Sequence, residues 1–346
     1  MKDSPVVMVT GACGNIGSYV AEQAFVDLCA VKVVIVDNFY NSSVNRWYEV
    51  GRGAMSQRMG GGSFTPHGAW KEYFPLEEVD VGDYELLLRT FRKHQPDYVF
   101  HLASTLTLDS KRFPRDAVKT NIVGTQNVIE CCLETDVEHL VVASSASVFG
   151  DPDVVPTDEE HHYKNNKLLY GACKIANEVM LSSYAEEEGL KFTAPRFFNV
   201  YGERASLNNV YTQIVQKWIK AIGEGCPITI FGDGQQTMDL VHGIDAAASM
   251  IQCIKKCAYR GNLVDGEKLE GFFNIGSGKS TSVVELKDLL FEIMDKEVEV
   301  IYDEHDPNLV RKRQCDSSLA KRVLDWRPSI DLKNGLEKCI HPLYGV

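Results

Sequence analysis

Pro5-Val-Val-Met-Val-Thr10 runs straight into Gly11-Ala-Cys-Gly14-Asn15-Ile16-Gly17, and the reading of this stretch decides the fold. The first part is a short, β-branched apolar run, the signature of a buried strand. From Ile16 onward Ile16, Val20, Ala24 and Leu28 recur every fourth residue, which is the period of a helix. Between strand and helix stand three glycines. Only glycine lets a backbone turn this tightly, approach a pyrophosphate and pack helix on strand. The helix N-terminus then presents free N–H groups and a partial positive charge to phosphates. The next β-branched run, Val31–Asp37, ends in an acid twenty residues after Gly17. An acid there accepts bonds from ribose hydroxyls and repels a 2′-phosphate. The stretch therefore points to a dinucleotide, NAD over NADP, held by Gly11, Gly14, Asn15, Ile16, Gly17, Asp37 and Asn38. A second reading makes Asp37 a strand-end cap for a turn with Asn38.

Outward from this turn, strand and helix signals alternate. Further β-branched runs lie at Tyr98–Leu102, Leu140–Ser144 and Phe192–Arg196, with helical patterns at Ala117–Glu134 and Leu168–Glu188. Strands joined by helices of this length need crossover connections, which gives a parallel sheet covered on both faces. The expected class is α/β, a Rossmann-type doubly wound sheet. Gly51 to Ser63 carries five glycines and reads as a mobile surface loop. After Arg196 the rhythm breaks. One amphipathic helix is expected at Tyr211–Ile222, a strand at Phe272–Ile275, a helix at Ser282–Met294 and an irregular end. The expected division is a dinucleotide-binding domain over 1–197 and a smaller, mainly substrate-binding lobe over 198–346. Segments near 237–250 and 271–277 are expected to return to the first domain.

The 346 residues include 36 Lys and Arg against 48 Asp and Glu, a net charge of −12. That balance argues against sequence-independent binding of nucleic acid, which needs a basic face. No run of about 18 apolar residues suggests a membrane span, and Met1–Val20 lacks a signal-peptide core. The ten cysteines are scattered, with no CxxC grouping, and read as reduced thiols of a cytoplasmic protein. His161-His162 reads as loop surface with no Cys, His or Asp at ligand spacing, so no metal is expected.

Tyr170-Gly-Ala-Cys-Lys174 opens a long helical pattern, and a spacing of four puts both side chains on one face. A tyrosine titrates near ~10, so service as a base near neutrality needs a shift of roughly three units. A neighbouring ammonium acts in that direction. Leu140-Val-Val-Ala-Ser144-Ser145-Ala146-Ser147 puts hydroxyls past the end of a buried strand, where open α/β sheets bind ligands. Ser144 has two readings, a substrate contact or a satisfier of turn backbone groups; Ser147 reads as the latter.

With these pieces placed, the chain resembles the extended short-chain dehydrogenase/reductase family, in its sugar-nucleotide epimerase and dehydratase branch. The resemblance spans nearly the whole chain and is carried by Thr10–Gly17, Asp80-Val81, His101-Leu-Ala-Ser104, Asn121–Thr125, Ser144–Gly150, Tyr170–Lys174, Pro195–Gly202, Phe231–Asp239 and Phe273–Ser277. It implies tightly bound NAD, a homodimer built on two long helices per subunit, and a nucleotide sugar, a UDP-sugar first among them, as substrate. It implies Ser145 as catalytic hydroxyl, Tyr170 as base and Lys174 as its lysine. Asp80 and Val81 would contact adenine, Leu102, Ala103 and Ser104 would line the cofactor channel, and Asn121 would sit on the nicotinamide side. Asn199 would touch the substrate diphosphate and Lys217 would line the nucleotide pocket.

The departures from the family concern reaction type. Dehydratases of the branch carry an Asp-Glu pair after the catalytic hydroxyl, and decarboxylases a Glu where Ser147 stands; here the residues are Ala146 and Ser147. What remains is hydride removal and return, which favours 4-epimerisation. The alternatives are net oxidation or reduction of the same sugars, and a non-catalytic NAD-binding subunit. Two diphosphate arginines of the family are replaced by Met238 and Asp306. Each charged hydrogen bond is worth roughly 1.5–3 kcal/mol, so the loss matters. Arg311 and Arg313, in Arg311-Lys312-Arg313, either replace them as substrate contacts or form a solvated surface run.

Overall fold

The computed structural model describes residues 2–58, 69–205, 214–264, 267–304 and 310–344. Seven parallel strands form the central sheet: β1 (Val6–Thr10), β2 (Lys32–Asp37), β3 (Leu76–Glu78), β4 (Tyr98–His101), β5 (His139–Val142), β6 (Phe192–Phe197) and β7 (Phe272–Ile275). Their spatial order is β3-β2-β1-β4-β5-β6-β7, and Ser144–Ser145 adds a short parallel strand on β6. The order reverses between β1 and β4, a switch point where open α/β sheets bind ligands at their carboxyl ends. Thr10 pairs there with Val36 on one side and His101 on the other.

The two-sided burial is legible residue by residue, because successive strand side chains point to opposite faces. Val7, Val9, Val33 and Ile35 pack on one face with helices α1 (Asn15–Asp27) and α7 (Gly243–Lys255). Met8, Val34, Val99 and Leu140 face helices α3 (Tyr84–His94), α4 (Gly124–Glu134) and α5 (Leu169–Glu188) on the other. A second core joins Trp218, Ile219, Ile222, Leu286, Leu290, Leu336 and Ile340. These come from α6 (Ile214–Glu224), α8 (Val283–Met294) and α10 (Leu332–Tyr344). Helix α8 begins with a capping box, Ser282 and Glu285 satisfying each other's backbone N–H groups.

Three expectations are corrected, and a fourth falls partly outside the described residues. The glycine stretch from Gly51 is not a loop: Val44–Arg58 is a helix, α2. Gly51 serves close packing there, since a Cβ would lie 2.1 Å from Trp70 Cε3; residues 59–63 lie outside the described residues. The Ala117–Glu134 pattern is not one α-helix: Pro114–Val118 runs into a π-helical turn at Lys119–Val123 before α4. The start of the expected helix at Tyr211 lies outside the described residues, and α6 is helical from Ile214 to Glu224. The carboxyl end is not irregular, for it holds α9 (Ser318–Val323) and α10. Gly335 and Pro342 are poor helix formers inside α10, and Gly335 gives room to Tyr201, whose Oη would lie 1.9 Å from a Cβ. Leu336, Cys339 and Ile340 then bury the helix face. No helix among the described residues is long and apolar enough to cross a membrane.

Candidate functional site

The glycine turn is built by contact. Gly11 has φ +66°, and a Cβ on it would meet Ala103 N at 2.7 Å; a Cβ on Gly17 would meet Gly11 O at 2.2 Å. Gly14 opens α1 with no side-chain cap, so the first N–H groups of the helix remain for an anion. Asp37 caps the turn after β2, the second of its two readings. Its Oδ2 accepts from Cys13 N at 2.8 Å, and its Oδ1 accepts from Phe39 N and Ser42 Oγ, each at 2.8 Å. About one of its four acceptor sites is left for a ribose hydroxyl.

A cleft of about 280 Å³ runs from Cys13, Gly14 and Asn15 to the segment 40–49, with Arg46 and Arg204 on its walls. The sequence reading missed Asn41 and Ser42 in that lining. Their signal was available: a polar turn follows directly on the acid that ends β2. Asn15 Oδ1 is buried without a hydrogen-bond partner, beside Gly202 and Gly243. The free helix terminus, the glycine cradle and the acid at the end of β2 together suit a dinucleotide. Replacing Gly17 by Ala should therefore weaken NAD binding at least tenfold, about 1.4 kcal/mol. Titration calorimetry or the dinucleotide content of purified protein reads this, and wild-type retention would refute the close-approach argument.

Farther along the channel, Asn38 Nδ2 donates to Asp80 Oδ2 at 3.4 Å, and Val81 O accepts from Asn127 Nδ2 at 2.8 Å. Leu102 N donates to Thr10 O, and Ala103 N to Thr10 Oγ1. Asn121 is tied to the 104–105 segment through its side-chain amide. Its Oδ1 accepts from Ser104 Oγ and Thr105 N, at 3.0 and 2.8 Å, and its Nδ2 donates to Thr105 O at 3.0 Å. The π-turn thus aims Asn121 at the 104–105 segment, which forms the channel wall.

Tyr170 and Lys174 stand one turn apart on α5, with the Lys174 ammonium 5.7 Å from the Tyr170 ring centre. Lys174 is buried and donates to Ala143 O at 2.7 Å. Burial pushes its pKa down to about 8, opposed by Cys173 and Glu178. Burial pushes the Tyr170 phenol up to about 12, and hydrogen bonding with Ser145, the charge of Arg313 and hydrogen bonding with Ser104 work against this. Ser145 Oγ donates to Ser147 Oγ at 3.1 Å and accepts from Ser147 N. The structure therefore brings Ser145, Tyr170, Lys174, Ser104 and Arg313 together.

Ser144 belongs elsewhere. Its hydroxyl donates to Glu178 Oε1 at 2.6 Å, within a buried pair in which Arg196 grips Glu178 through Nε and Nη2, each at 2.9 Å. The expected substrate contact is corrected to a packing role. Asn199 Oδ1 is buried without a partner, Lys217 lies exposed on α6, and exposed Arg311 pairs with Asp233 at 3.4 Å.

Among the described residues, two groups of side chains have metal-ligand types. Asp153 comes 3.0 Å from His162 Nε2, which corrects the expectation that the His161-His162 pair has no acidic neighbour. There His161 Nε2 accepts from Asp153 N, so a metal on that nitrogen would have to displace this bond. In the cluster Glu203–His242–Cys339, Ile244 N donates to His242 Nδ1. That leaves the ring proton on Nε2, facing Glu203 at 3.1 Å, while burial pushes the Cys339 thiol up to about 12. Both groups are hydrogen-bonded assemblies.

The sequence profile of the NAD dependent epimerase/dehydratase family matches residues 7–275. The chain belongs to this family. Its members are NAD-dependent sugar-nucleotide enzymes, and NAD is the cofactor the turn around Gly11 suits. Among solved structures, UDP-glucose 4-epimerase of Thermotoga maritima, determined with UDP-glucose, is 29% identical with a TM-score of 0.82, covering 97% of each chain. UDP-glucose 4-epimerase of Thermus thermophilus, determined with NAD, is 25% identical with a TM-score of 0.80, also covering 97% of each. Among curated relatives, UDP-glucuronic acid decarboxylase 1 of Xenopus tropicalis is 25% identical over 98% of this chain and 72% of its own length.

Proposed function

We propose that this protein is an NAD-dependent 4-epimerase of a nucleotide sugar, most simply a UDP-sugar, with its substrate lobe mainly in 198–346. The observation that carries the reading is the wall beside Tyr170, where Ser145, Ala146 and Ser147 offer hydroxyls and a methyl group but no carboxylate. Elimination of water or loss of CO₂ calls for an acid or base beyond the tyrosine; removal and return of hydride does not. NAD, when bound, accepts the hydride of the sugar C4 and gives it back.

Tyr170 Oη takes the C4 hydroxyl proton as hydride leaves and returns it when hydride comes back to the other face. Ser145 Oγ donates to the C4 oxygen and orients it. The ammonium of Lys174 favours the phenolate. Asn199 offers a buried acceptor with no protein partner, and Arg311 stands at the exposed end as a cation for the diphosphate. We assign the protein to the cytoplasm on its free thiols. We also propose a homodimer, supported by exposed Phe113, Val118, Val123 and Val179 along residues 113–123 and α5.

The test is incubation of purified protein with UDP-, dTDP-, GDP- and CDP-sugars, without added cofactor. A C4 epimer is the expected product. NADH accumulating only after NAD is supplied would replace this reading with a net dehydrogenase.

A further inference from the structure

We propose that His101 is a positioning residue, which through one directed series of hydrogen bonds sets the dinucleotide turn against the helix that carries Tyr170 and Lys174. Its effect on turnover rests on the epimerase reading above. His101 ends β4 and is buried. Its Nδ1 lies 2.7 Å from Thr10 Oγ1, and its Nε2 lies 3.0 Å from Thr125 Oγ1.

The neighbours decide which nitrogen carries the proton. Thr125 Oγ1 has a single hydrogen and gives it to Asn121 O at 2.7 Å, since a carbonyl only accepts. Its two lone pairs then take Asn177 Nδ2, at 3.1 Å, and the imidazole. His101 therefore donates from Nε2 and accepts at Nδ1, from the Thr10 hydroxyl. Thr10 Oγ1, its own proton spent on the ring, accepts from Ala103 N at 3.4 Å. The bonds run in one direction, from Ala103 N–H through Thr10, His101 and Thr125 to the Asn121 carbonyl. Bonds aligned in this way strengthen one another.

Both ends lie where the site needs fixed geometry. Thr10 precedes Gly11, whose φ of +66° and missing Cβ let the turn close on Ala103, and Thr10 O accepts from Leu102 N at 3.0 Å. At the other end stands the π-turn Lys119–Val123. Asn177, bound to the same Thr125 hydroxyl, follows Lys174 by three residues on α5. One ring thus joins β1, the channel wall, the π-turn and the catalytic helix. Burial, with the charge of Lys174 adding to it, pushes the imidazole down to about 3. The ring is neutral across the working range, so it keeps one donor and one acceptor and takes no proton from substrate. A misplacement of about 1 Å at the reacting atoms costs on the order of a hundredfold in rate.

The test separates the two halves of the series. His101→Asn keeps an acceptor near the place of Nδ1, and so the Thr10 bond; His101→Gln keeps a donor near the place of Nε2, and so the Thr125 bond. His101→Gln should weaken NAD binding about fivefold or more, near the worth of one hydrogen bond, and His101→Asn should stay within about twofold, both read by calorimetry. For whichever nucleotide sugar the wild type turns over, kcat per bound NAD should fall about tenfold or more in both variants, with KM nearly unchanged. Nitrogen NMR of histidine-labelled holoenzyme should show the His101 ring, identified by its loss in His101→Gln, protonated on Nε2 alone. That signal should stay constant as pH crosses about 6.5, the ordinary imidazole value. If either His101 variant fails to fold, Thr10→Val carries the NAD prediction and Thr125→Val the kcat prediction. A ring that titrates there, the opposite tautomer, equal NAD affinity in the two variants, or unchanged kcat per bound NAD overturns the proposal. Absence of turnover by the wild type overturns the epimerase reading instead, and the tautomer and NAD affinities then decide His101 by themselves.

Discussion

Tyr170→Phe should lower turnover by roughly a hundred- to ten-thousand-fold, the usual contribution of a positioned acid–base group, while dinucleotide binding and fold stay intact. The substitution removes one oxygen and keeps the ring against which Lys174 lies, 5.7 Å from its centre. The loss is large because the hydroxyl serves the reaction in both directions, taking the C4 proton and restoring it. Burial raises the free phenol to about 12, so the site must supply compensating charge before the phenolate forms near neutrality. Lys174 is the closest such group on the same helix. Since burial holds its pKa down to about 8, the ammonium is charged at neutral pH and fades above that value. The profile of kcat/KM should therefore fall on its alkaline side from about pH 8. The checks are turnover with the preferred sugar, dinucleotide content and circular dichroism. Activity within tenfold of wild type, with NAD bound, would remove Tyr170 from the role of base.

Much of this site is legible in sequence because its signals are local. A strand, three glycines and a helix occupy consecutive residues, and each glycine answers a contact close by: Gly17 with Gly11 O, and Gly11 with the backbone of Ala103. Tyr170 and Lys174 are four apart, so helical geometry alone puts them together. The parallel sheet follows from strands apolar on both faces, as in β1 with Val7, Met8 and Val9 all fully buried.

What escaped the sequence depends on partners far away along the chain. Ser144 and Ser145 look interchangeable, and the pleat sends them to opposite sides of the strand. Glu178, 34 residues on, then claims one hydroxyl and not the other. Asn121 carries no local sign that its helix widens into a π-turn and spends the amide on Ser104 and Thr105. Gly335 signals a helix end by propensity, but the ring of Tyr201 needs the space of its missing side chain. Asp153 reaches His162 only because the loop between them folds back. In each case tertiary packing overrides a correct local preference.

The same distant partner that claims Ser144 gives the largest stability effect we expect. Glu178→Ala should cost about 3–5 kcal/mol, the range for removing one member of a buried ion pair. Glu178 and Arg196 are each 2% exposed or less, and every bond in the group has a definite partner. Glu178 accepts from Arg196, Ser144 and Tyr163, with the Tyr163 Oη contact at 3.0 Å. Arg196 donates in addition to Glu159 O at 2.8 Å and Tyr163 Oη at 2.7 Å. Deleting the carboxylate leaves a guanidinium charged, dry and facing two orphaned hydroxyls. With an unfolding entropy of about 2.1 cal/mol/K per residue over 346 residues, the loss corresponds to a Tm lower by roughly 4–7 °C. Replacing both partners with apolar residues, Glu178→Leu with Arg196→Met, should cost less than the single change, because no charge is then left buried without its counter-ion. Calorimetry of the two variants decides it. If the double variant is the less stable, the pair contributes net attraction beyond its own desolvation. Ser144 would then anchor the catalytic strand through a bond that stabilises the fold, so loss of Glu178 should also disturb Ser145 beside it.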